Sequence, residues 1–159
     1  DRHAPVVRAL CGVQLRSASP SLLVTSQTST PGGGGTYGQS VPAVPETDLV
    51  RNGAARTIAA VREDASFRTN LVLANATESP LSVDVSLVSE AGATLGTRRF
   101  DLLPLGMTQV SRVVRELGVA SGVSGARLVL STPTGGGAFA AYASVIDART
   151  NDPRTLLPR

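Results

Sequence analysis

The chain of 159 residues contains one His, one Cys, no Trp and only 3% aromatic residues. One Cys cannot form an internal disulfide, and one Cys with one His cannot supply the ligands of a zinc site. A Ser-His-Asp triad would depend on His3, close to the N-terminus, and a Cys–His pair on His3 with Cys11. Cys11 is instead expected to be a small apolar packing residue. We therefore expect no enzyme activity and no cofactor.

Lysine is also missing: all 15 basic residues are Arg, and the formal net charge is only +3. Nucleic-acid modules cluster basic residues on one face and add stacking aromatics. Here Arg98-Arg99 is the single adjacent pair, so no nucleic-acid partner is expected. No apolar run approaches the roughly 20 residues of a spanning helix, so the sequence predicts no membrane span.

What the sequence does contain is period-2 alternation of apolar and polar residues, which is typical of strands with one buried face. It is clear at 67–73 and 81–89, and a Gly-containing turn joins the latter to a strand at 94–102. Gly96 interrupts that strand and predicts a bulge. The strand at 138–147 is apolar on both faces, which predicts a central position with both faces covered.

One segment breaks this pattern. Ser111 is a candidate N-cap, apolar residues follow at 113, 114 and 117, and Gly118 is a stop signal. We expect one short helix near 111–117. Short strands separated by Gly/Pro turns over the rest of the chain predict an all-β fold, a β-sandwich of the immunoglobulin-like type.

Similar blocks recur in the same order along the chain, which predicts an internal repeat. The first members of the pairs lie in the N-terminal third, and the second members in the C-terminal third. The paired blocks are 6–12 with 113–118, 13–20 with 126–133, 24–28 with 141–145, and 39–42 with 155–158.

The repeat predicts two regions. Residues 1–50 would be the C-terminal half of a preceding sandwich unit, and residues 51–159 a complete unit. A half-unit would expose strand edges and an apolar face. Its missing strands would lie upstream in a longer chain, come from another chain, or be replaced by packing of 1–50 on the complete unit.

Several segments resemble tandem immunoglobulin-like modules of large secreted bacterial proteins. The resemblance lies in Leu-Leu-Val-Thr-Ser-Gln-Thr-Ser at 22–29, Gly-Thr-Tyr-Gly-Gln-Ser-Val-Pro-Ala-Val-Pro at 35–45, the strand at 67–75, and Ala-Tyr-Ala-Ser-Val-Ile-Asp at 141–147 with Asn-Asp-Pro at 151–153. It implies a location outside the cell or at the cell surface and a spacer, adhesive or assembly role. It does not imply an activity.

Few residues qualify as site candidates. Tyr37, beside a Gly-rich turn, and Tyr142 are the candidate contacts for a ligand or partner. Asp147 and Asp152 could offer oxygen ligands to calcium, but they form no calcium-loop motif and are more simply turn formers, so no metal site is expected.

Three further polar residues receive structural interpretations. Glu63 and Asp64 are adjacent carboxylates, which we interpret as solvated turn residues rather than a glycosidase pair. Asn75 opens the sequon Asn-Ala-Thr, which predicts a surface position.

These observations favour a non-enzymatic extracellular module with a structural, adhesive or self-assembly role, with strand exchange between subunits as one route. Its partners would be neighbouring sandwich units, including identical subunits. The alternative is a carbohydrate- or ligand-binding accessory domain of a secreted hydrolase, which would need an exposed aromatic platform.

Overall fold

The computed structural model describes residues 12–18, 22–32, 35–120 and 122–159. Strands β1 (Thr25–Gly32) and β2 (Gly35–Pro42) form an antiparallel hairpin. A 3-10 turn at Glu46–Asp48 then leads into the remaining strands. Two-stranded hairpins are at best marginally stable in water by themselves, so the contacts that hold this one matter for its position.

The remaining strands form two antiparallel sheets. In chain order they are β3 (Val50–Arg51), β4 (Ala55–Glu63), β5 (Phe67–Asn75), β6 (Leu81–Val88), β7 (Thr94–Leu102), β8 (Met107–Val110), β9 (Val123–Ser131), β10 (Ala138–Asp147) and β11 (Pro153–Leu156). The first sheet has the order β11-β10-β5-β8, with β3 also beside β10, and the second has the order β4-β9-β6-β7. The all-β prediction is confirmed.

The two sheets pack face to face around one apolar core, the arrangement of a β-sandwich. Ile58 and Leu128 of the second sheet and Leu71 and Phe139 of the first are fully buried and belong to the same cluster. Along β6, buried Leu and Val residues alternate with half-buried Ser and Asp, because successive side chains of a strand point to opposite faces. The alternation noted in the sequence is thus the division between core and surface.

Strand β10 lies inside its sheet, between β5 on one edge and β3 and β11 on the other. Phe139, Ala141 and Ala143 face the core. The opposite face carries Ser144, which is also buried. The prediction of a central strand is therefore confirmed, and the doubly apolar sequence reflects burial on both faces at this point.

The predicted helix is present as α1 (Val113–Glu116), shorter than expected. Ser111 is not its N-cap, as the sequence suggested: Arg112 is, in a left-handed conformation with φ 52° and without a side-chain capping bond. Gly118 ends the turn with a positive φ of 83°. The side-chain cap is unnecessary because the helix is held by its buried face, Val113 and Val114.

Gly96 does lie beside a register irregularity in the β6–β7 ladder, as predicted. A side chain at this position would overlap the carbonyl oxygen of Leu117, just after α1. Glycine therefore allows β7 and the end of the helix to approach closely.

Candidate functional site

The hairpin is held on the outer face of the first sheet by two side-chain hydrogen bonds. Ser144 Oγ donates to Gln39 Oε1 over 2.7 Å, and Thr155 Oγ1 donates to the Ser40 carbonyl oxygen over 2.8 Å. Ser144 and Thr155 are directly opposite each other in the β10–β11 ladder, so their side chains share one face. Since Ala143 beside Ser144 belongs to the core, this shared face is the outer one.

The contact between the hairpin and the first sheet is polar, and one of its buried hydrogen-bond donors has no partner. Within the described part of the chain, Gln39 Nε2 is the buried side-chain nitrogen or oxygen atom without a hydrogen-bond partner. An unpaired buried donor costs about 1–3 kcal/mol. The docking of β2 on β10 and β11 therefore combines two hydrogen bonds with one unfavourable group, which limits its strength.

Tyr37 lines two open clefts between the hairpin and the turn after β10. The first, of about 650 Å³, is lined by Gln27, Ser29, Thr36, Tyr37, Gly38, Thr150 and Asp152. The second, of about 720 Å³, is lined on the sandwich side by Arg68, Ile146, Asn151 and Pro153. Arg68 donates a hydrogen bond to Asn151 Oδ1 over 3.0 Å. These groups offer one aromatic ring, a guanidinium, a carboxylate and several amides or hydroxyls, all of which can bond to a polar ligand.

Tyr37 is half-buried, not exposed. Tyr142, the other candidate contact, does not line either cleft. It lies in the middle of β10, opposite Val72, and its burial raises the pKa of its hydroxyl. The structure thus does not bring the two tyrosines into one aromatic platform at the clefts.

Asp147 and Asp152 flank the β10–β11 turn. One oxygen of Asp147 accepts hydrogen bonds from the backbone N–H groups of Thr150 and Arg149, and these bonds lower the pKa of its carboxyl. The Asp147 N–H in turn donates to the Asp152 carbonyl oxygen. The side chain of Asp147 thus has the bonding pattern of a turn-forming aspartate. No cluster of three or more His, Cys, Asp or Glu residues suited to a metal occurs among the residues that the structure describes.

Glu63 is buried, so its interpretation as a solvated turn residue is wrong. It ends β4, and its two oxygens accept hydrogen bonds from the backbone N–H groups of Thr69 and Arg115. The carboxylate thereby joins β4, β5 and α1. Asp64 does lie in the turn, where the side chain of Arg62 and the backbone N–H of Ser66 lower the pKa of its carboxyl. Glu63 lies two residues after the core residue Val61. Residues two apart in a strand face the same side, and this spacing is the feature of the sequence that indicates burial of Glu63.

Asn75 is also buried, at 3% exposure, so the surface position predicted from the sequon is wrong. Its amide nitrogen donates to the carbonyl oxygens of Ser79 and Leu103, and its amide oxygen accepts from the Thr77 N–H and hydroxyl. The side chain therefore ties two loops at one end of the sandwich. In this folded state it is not accessible for glycosylation.

Comparison with protein-family models, with curated proteins and with solved structures gives no match. No helix within the described ranges is long and apolar enough to cross a membrane. His3, Cys11 and the repeat block at 6–12 lie partly or wholly outside the described residues. The contact between β2 and the β10–β11 pair is the most specific surface feature. In the sequence its one sign is a polar residue, Ser144, within an otherwise apolar strand.

Proposed function

We propose that this chain is a non-enzymatic extracellular structural module, in which β-sandwich units join one another through their terminal hairpins. The observation that carries the proposal is the docking of the β1–β2 hairpin on β10 and β11 through Ser144 and Thr155. The location at the cell surface or outside the cell rests on the sequence resemblance to modules of secreted bacterial proteins.

The correspondence between the two strand pairs supports a repeat. In the aligned blocks β1 falls on β10 and β2 on β11, and both pairs are antiparallel. Ser26, aligned with Ala143, is opposite Val41, whereas Ala143 is opposite Leu156. The strand pairing thus differs by one residue from the sequence alignment, which matched Val41 with Leu157. The order and the antiparallel pairing of the two strand pairs, but not their register, therefore support residues 1–50 as the end of one unit and 51–159 as the next.

The immunoglobulin-like assignment remains part of this proposal. Counting β4 to β10 as seven strands, the second pairs with the fifth and the third with the sixth, as in immunoglobulin domains. The outer strands differ. The first strand, β4, pairs with the sixth, β9, and the seventh, β10, pairs with the second, β5. The pairing of the central strands supports an immunoglobulin-like architecture in which the first and last strands have exchanged sheets.

Exposed apolar residues support an assembly role. Val13, Leu15, Leu22 and Leu23 are 54–87% exposed and all precede β1. The four lie within residues 13–23 of the sequence, and contiguous exposed apolar patches are typical of interaction surfaces. Burial of these four would be favourable at about 25 cal/mol per Å² of apolar surface.

Sedimentation velocity over a wide concentration range tests the proposal. We expect association that increases with concentration and that weakens in a Leu22→Ser/Leu23→Ser double variant. Leu95→Ser is the matched control, since Leu95 is 41% exposed but lies on β7 of the sandwich. A protein that is monomeric at all concentrations, or a control that weakens association equally, would contradict an assembly role for this surface.

The second candidate function is ligand binding by an accessory domain, and the Tyr37 clefts favour it. A carbohydrate would stack on the Tyr37 ring and bond to the Arg68 and Asn151 side chains. Binding on a glycan array that is lost in Tyr37→Ala and retained in Tyr142→Ala would support this alternative. Absence of binding by the unaltered chain would exclude the glycans tested.

A further inference from the structure

Strand β1 has one paired and one open edge. Within the described residues the hairpin is a two-stranded sheet, so the edge of β1 opposite β2 forms no ladder. The residues Thr25 to Ser29 are exposed. An open edge presents unpaired N–H and C=O groups that can bind another strand.

The hydrogen bonds fix which amides point to this open edge. The Ala43 N–H donates to the Val24 carbonyl oxygen, so the backbone N–H and C=O groups of Val24 face β2. Because the direction alternates along an antiparallel strand, Ser26 and Thr28 also face β2. Thr25, Gln27 and Ser29 therefore direct their N–H groups away from it. Pro31, which has no N–H, belongs to this outward set.

Strand β10 has the same polarity under the sequence alignment. The Asp147 N–H donates to the Asp152 carbonyl oxygen on the β11 side, and the Ala148 N–H donates to the Ser66 carbonyl oxygen on the β5 side. Alternation then directs Ser144, the counterpart of Gln27, toward β5. The open edge of β1 thus corresponds to the edge of β10 that pairs with β5 over nine residues.

The apolar residues before β1 show the same incompleteness. Val13 and Leu15 align with Ala126 and Leu128 of β9, which are buried in the sandwich core. Val13 and Leu15 are instead 78% and 59% exposed. The segment therefore has the pattern of a core strand without the sheet that would cover it.

We propose that the open edge of β1 is an acceptor for one strand of β5 type from an incomplete neighbouring unit, because β5 of the complete sandwich already has β10 and β8 on its two edges. The strand adds antiparallel, in the register of β10 and β5, with Gln27 opposite the residue equivalent to Asn70. Main-chain hydrogen bonds supply affinity in this mode of binding, and side chains on alternate positions supply selectivity. The inference rests on the proposed structural function and identifies the segment that completes the hairpin.

The test uses the full chain and a synthetic peptide with the sequence of β5, Phe67 to Asn75. Amide hydrogen exchange followed by NMR should show slower exchange at Thr25, Gln27 and Ser29 when the peptide is added, with little change at Ser26 and Thr28. A scrambled peptide of the same composition should give no protection.

Modified peptides test the register. In β5 the N–H groups of residues 68, 70 and 72 face β10, because the alternation continues from the Ala148–Ser66 bond. N-methylation at the position of Asn70 should therefore weaken binding at least tenfold. N-methylation at the position of Leu71, whose N–H faces the other edge, should leave binding within about twofold.

Variants of β1 complete the test. Ser29→Pro removes an outward N–H and should weaken binding at least fivefold, while Ser29→Ala keeps that N–H and should bind normally. Retained NMR contacts between Ser26 and Val41, which are opposite each other in the hairpin, would show that β1–β2 is intact. Equal binding of the scrambled peptide, equal binding of the two methylated peptides, or no protection would overturn the proposal. If the chain self-associates in sedimentation but does not bind the peptide, the proposed structural function is retained, and β1 is not the strand through which the units join.

Discussion

Strands β1 and β10 have the same hydrogen-bond polarity under the sequence alignment, but their surroundings are opposite. β10 is rich in Ala and presents Phe139, Ala141 and Ala143 to the core, whereas Thr25 to Ser29 of β1 are exposed Ser, Thr and Gln residues. One pair has sheet on both sides of β10, and the other has a free edge. The backbone ladder alone therefore does not decide which pair is stable.

The stability of this chain lies in the sandwich rather than in the hairpin. The core cluster contains residues from β3 to β10 and none from β1 or β2. Hydrophobic burial is the main favourable contribution to folding, so the sandwich carries the stability. The hairpin depends on a few polar contacts with it. Regions with few buried contacts open at low free-energy cost.

The largest expected effect tests this division directly. Leu128→Ala should lower the free energy of unfolding by about 2–5 kcal/mol, because it removes a fully buried side chain. Leu15→Ala, its counterpart in the aligned blocks, should change it by less than about 0.5 kcal/mol because Leu15 is exposed. Urea denaturation measures both. Equal losses would mean that the segment before β1 belongs to the same cooperative core.

Asn75→Ala should cause the next largest loss of stability. It removes the amide nitrogen that donates to the carbonyl oxygens of Ser79 and Leu103 and leaves the N–H of Thr77 without its acceptor. The Leu103 carbonyl oxygen keeps a second donor, the Gly106 N–H, so we expect a loss of about 1–3 kcal/mol in urea denaturation. Asn52→Ala is the matched control, because its side chain makes one hydrogen bond, to the Thr132 carbonyl oxygen. A loss no greater than that of the control would show that the Asn75 clamp does not support the sandwich.

Ser144→Ala should weaken the docking of the hairpin on the sandwich and have a smaller effect on the free energy of unfolding of the chain. It removes the hydrogen bond to Gln39, so the stability of the sandwich should fall by no more than about 1.5 kcal/mol. Amide exchange in β2 should nevertheless become faster. Ser86→Ala, which removes a surface hydrogen bond to Thr97 in the second sheet, should leave β2 unchanged. If amide exchange in β2 is unaltered after Ser144→Ala, the hydrogen bond to Gln39 does not hold the hairpin on the sandwich.

The smallest expected effect is electrostatic and belongs to the sandwich alone. A hydrogen bond from Arg99 lowers the pKa of Asp84 in the folded state. This stabilisation is present above the unfolded pKa, near 3.9, and is lost as the pH falls through the lowered folded value. Because the side chains are 29% and 57% exposed, it should amount to no more than about 1 kcal/mol.

Asp84→Asn should therefore lower stability at pH 7 and have little effect at pH 2. High salt should reduce the difference at pH 7, because screening weakens exposed ion pairs. Denaturation curves of the variant and the unaltered chain at the two pH values measure it. An equal loss at both pH values would assign the effect to packing rather than to charge.

The sequence predicts the strands well where one face is buried. The bounds of β7 and β10 agree with their patterns, and Gly96 does mark an irregular position. The start of α1 is different, because Arg112 in a left-handed conformation replaces the expected Ser111 cap. Local capping rules failed there because packing of the helix against the core fixes its first turn.

The candidate site was less predictable. Tyr37 does line a surface cleft, but its neighbours Arg68 and Asn151 come from strands and turns distant in the chain. Likewise, Ser144 and Gln39 are 105 residues apart. No local pattern encodes such contacts, since they depend on how the hairpin packs on the sheet.

The alternation of apolar and polar residues is enough to predict the all-β character of the protein and the apolar faces of its strands, because side-chain direction alternates with a period of two whatever the tertiary fold. The burial of Glu63 and Asn75 as hydrogen-bonding centres rather than surface groups depends on the folded structure. Their partners lie on other strands and loops, and a polar group can be buried only where such partners meet it. The same reason left the place of the hairpin to the folded structure.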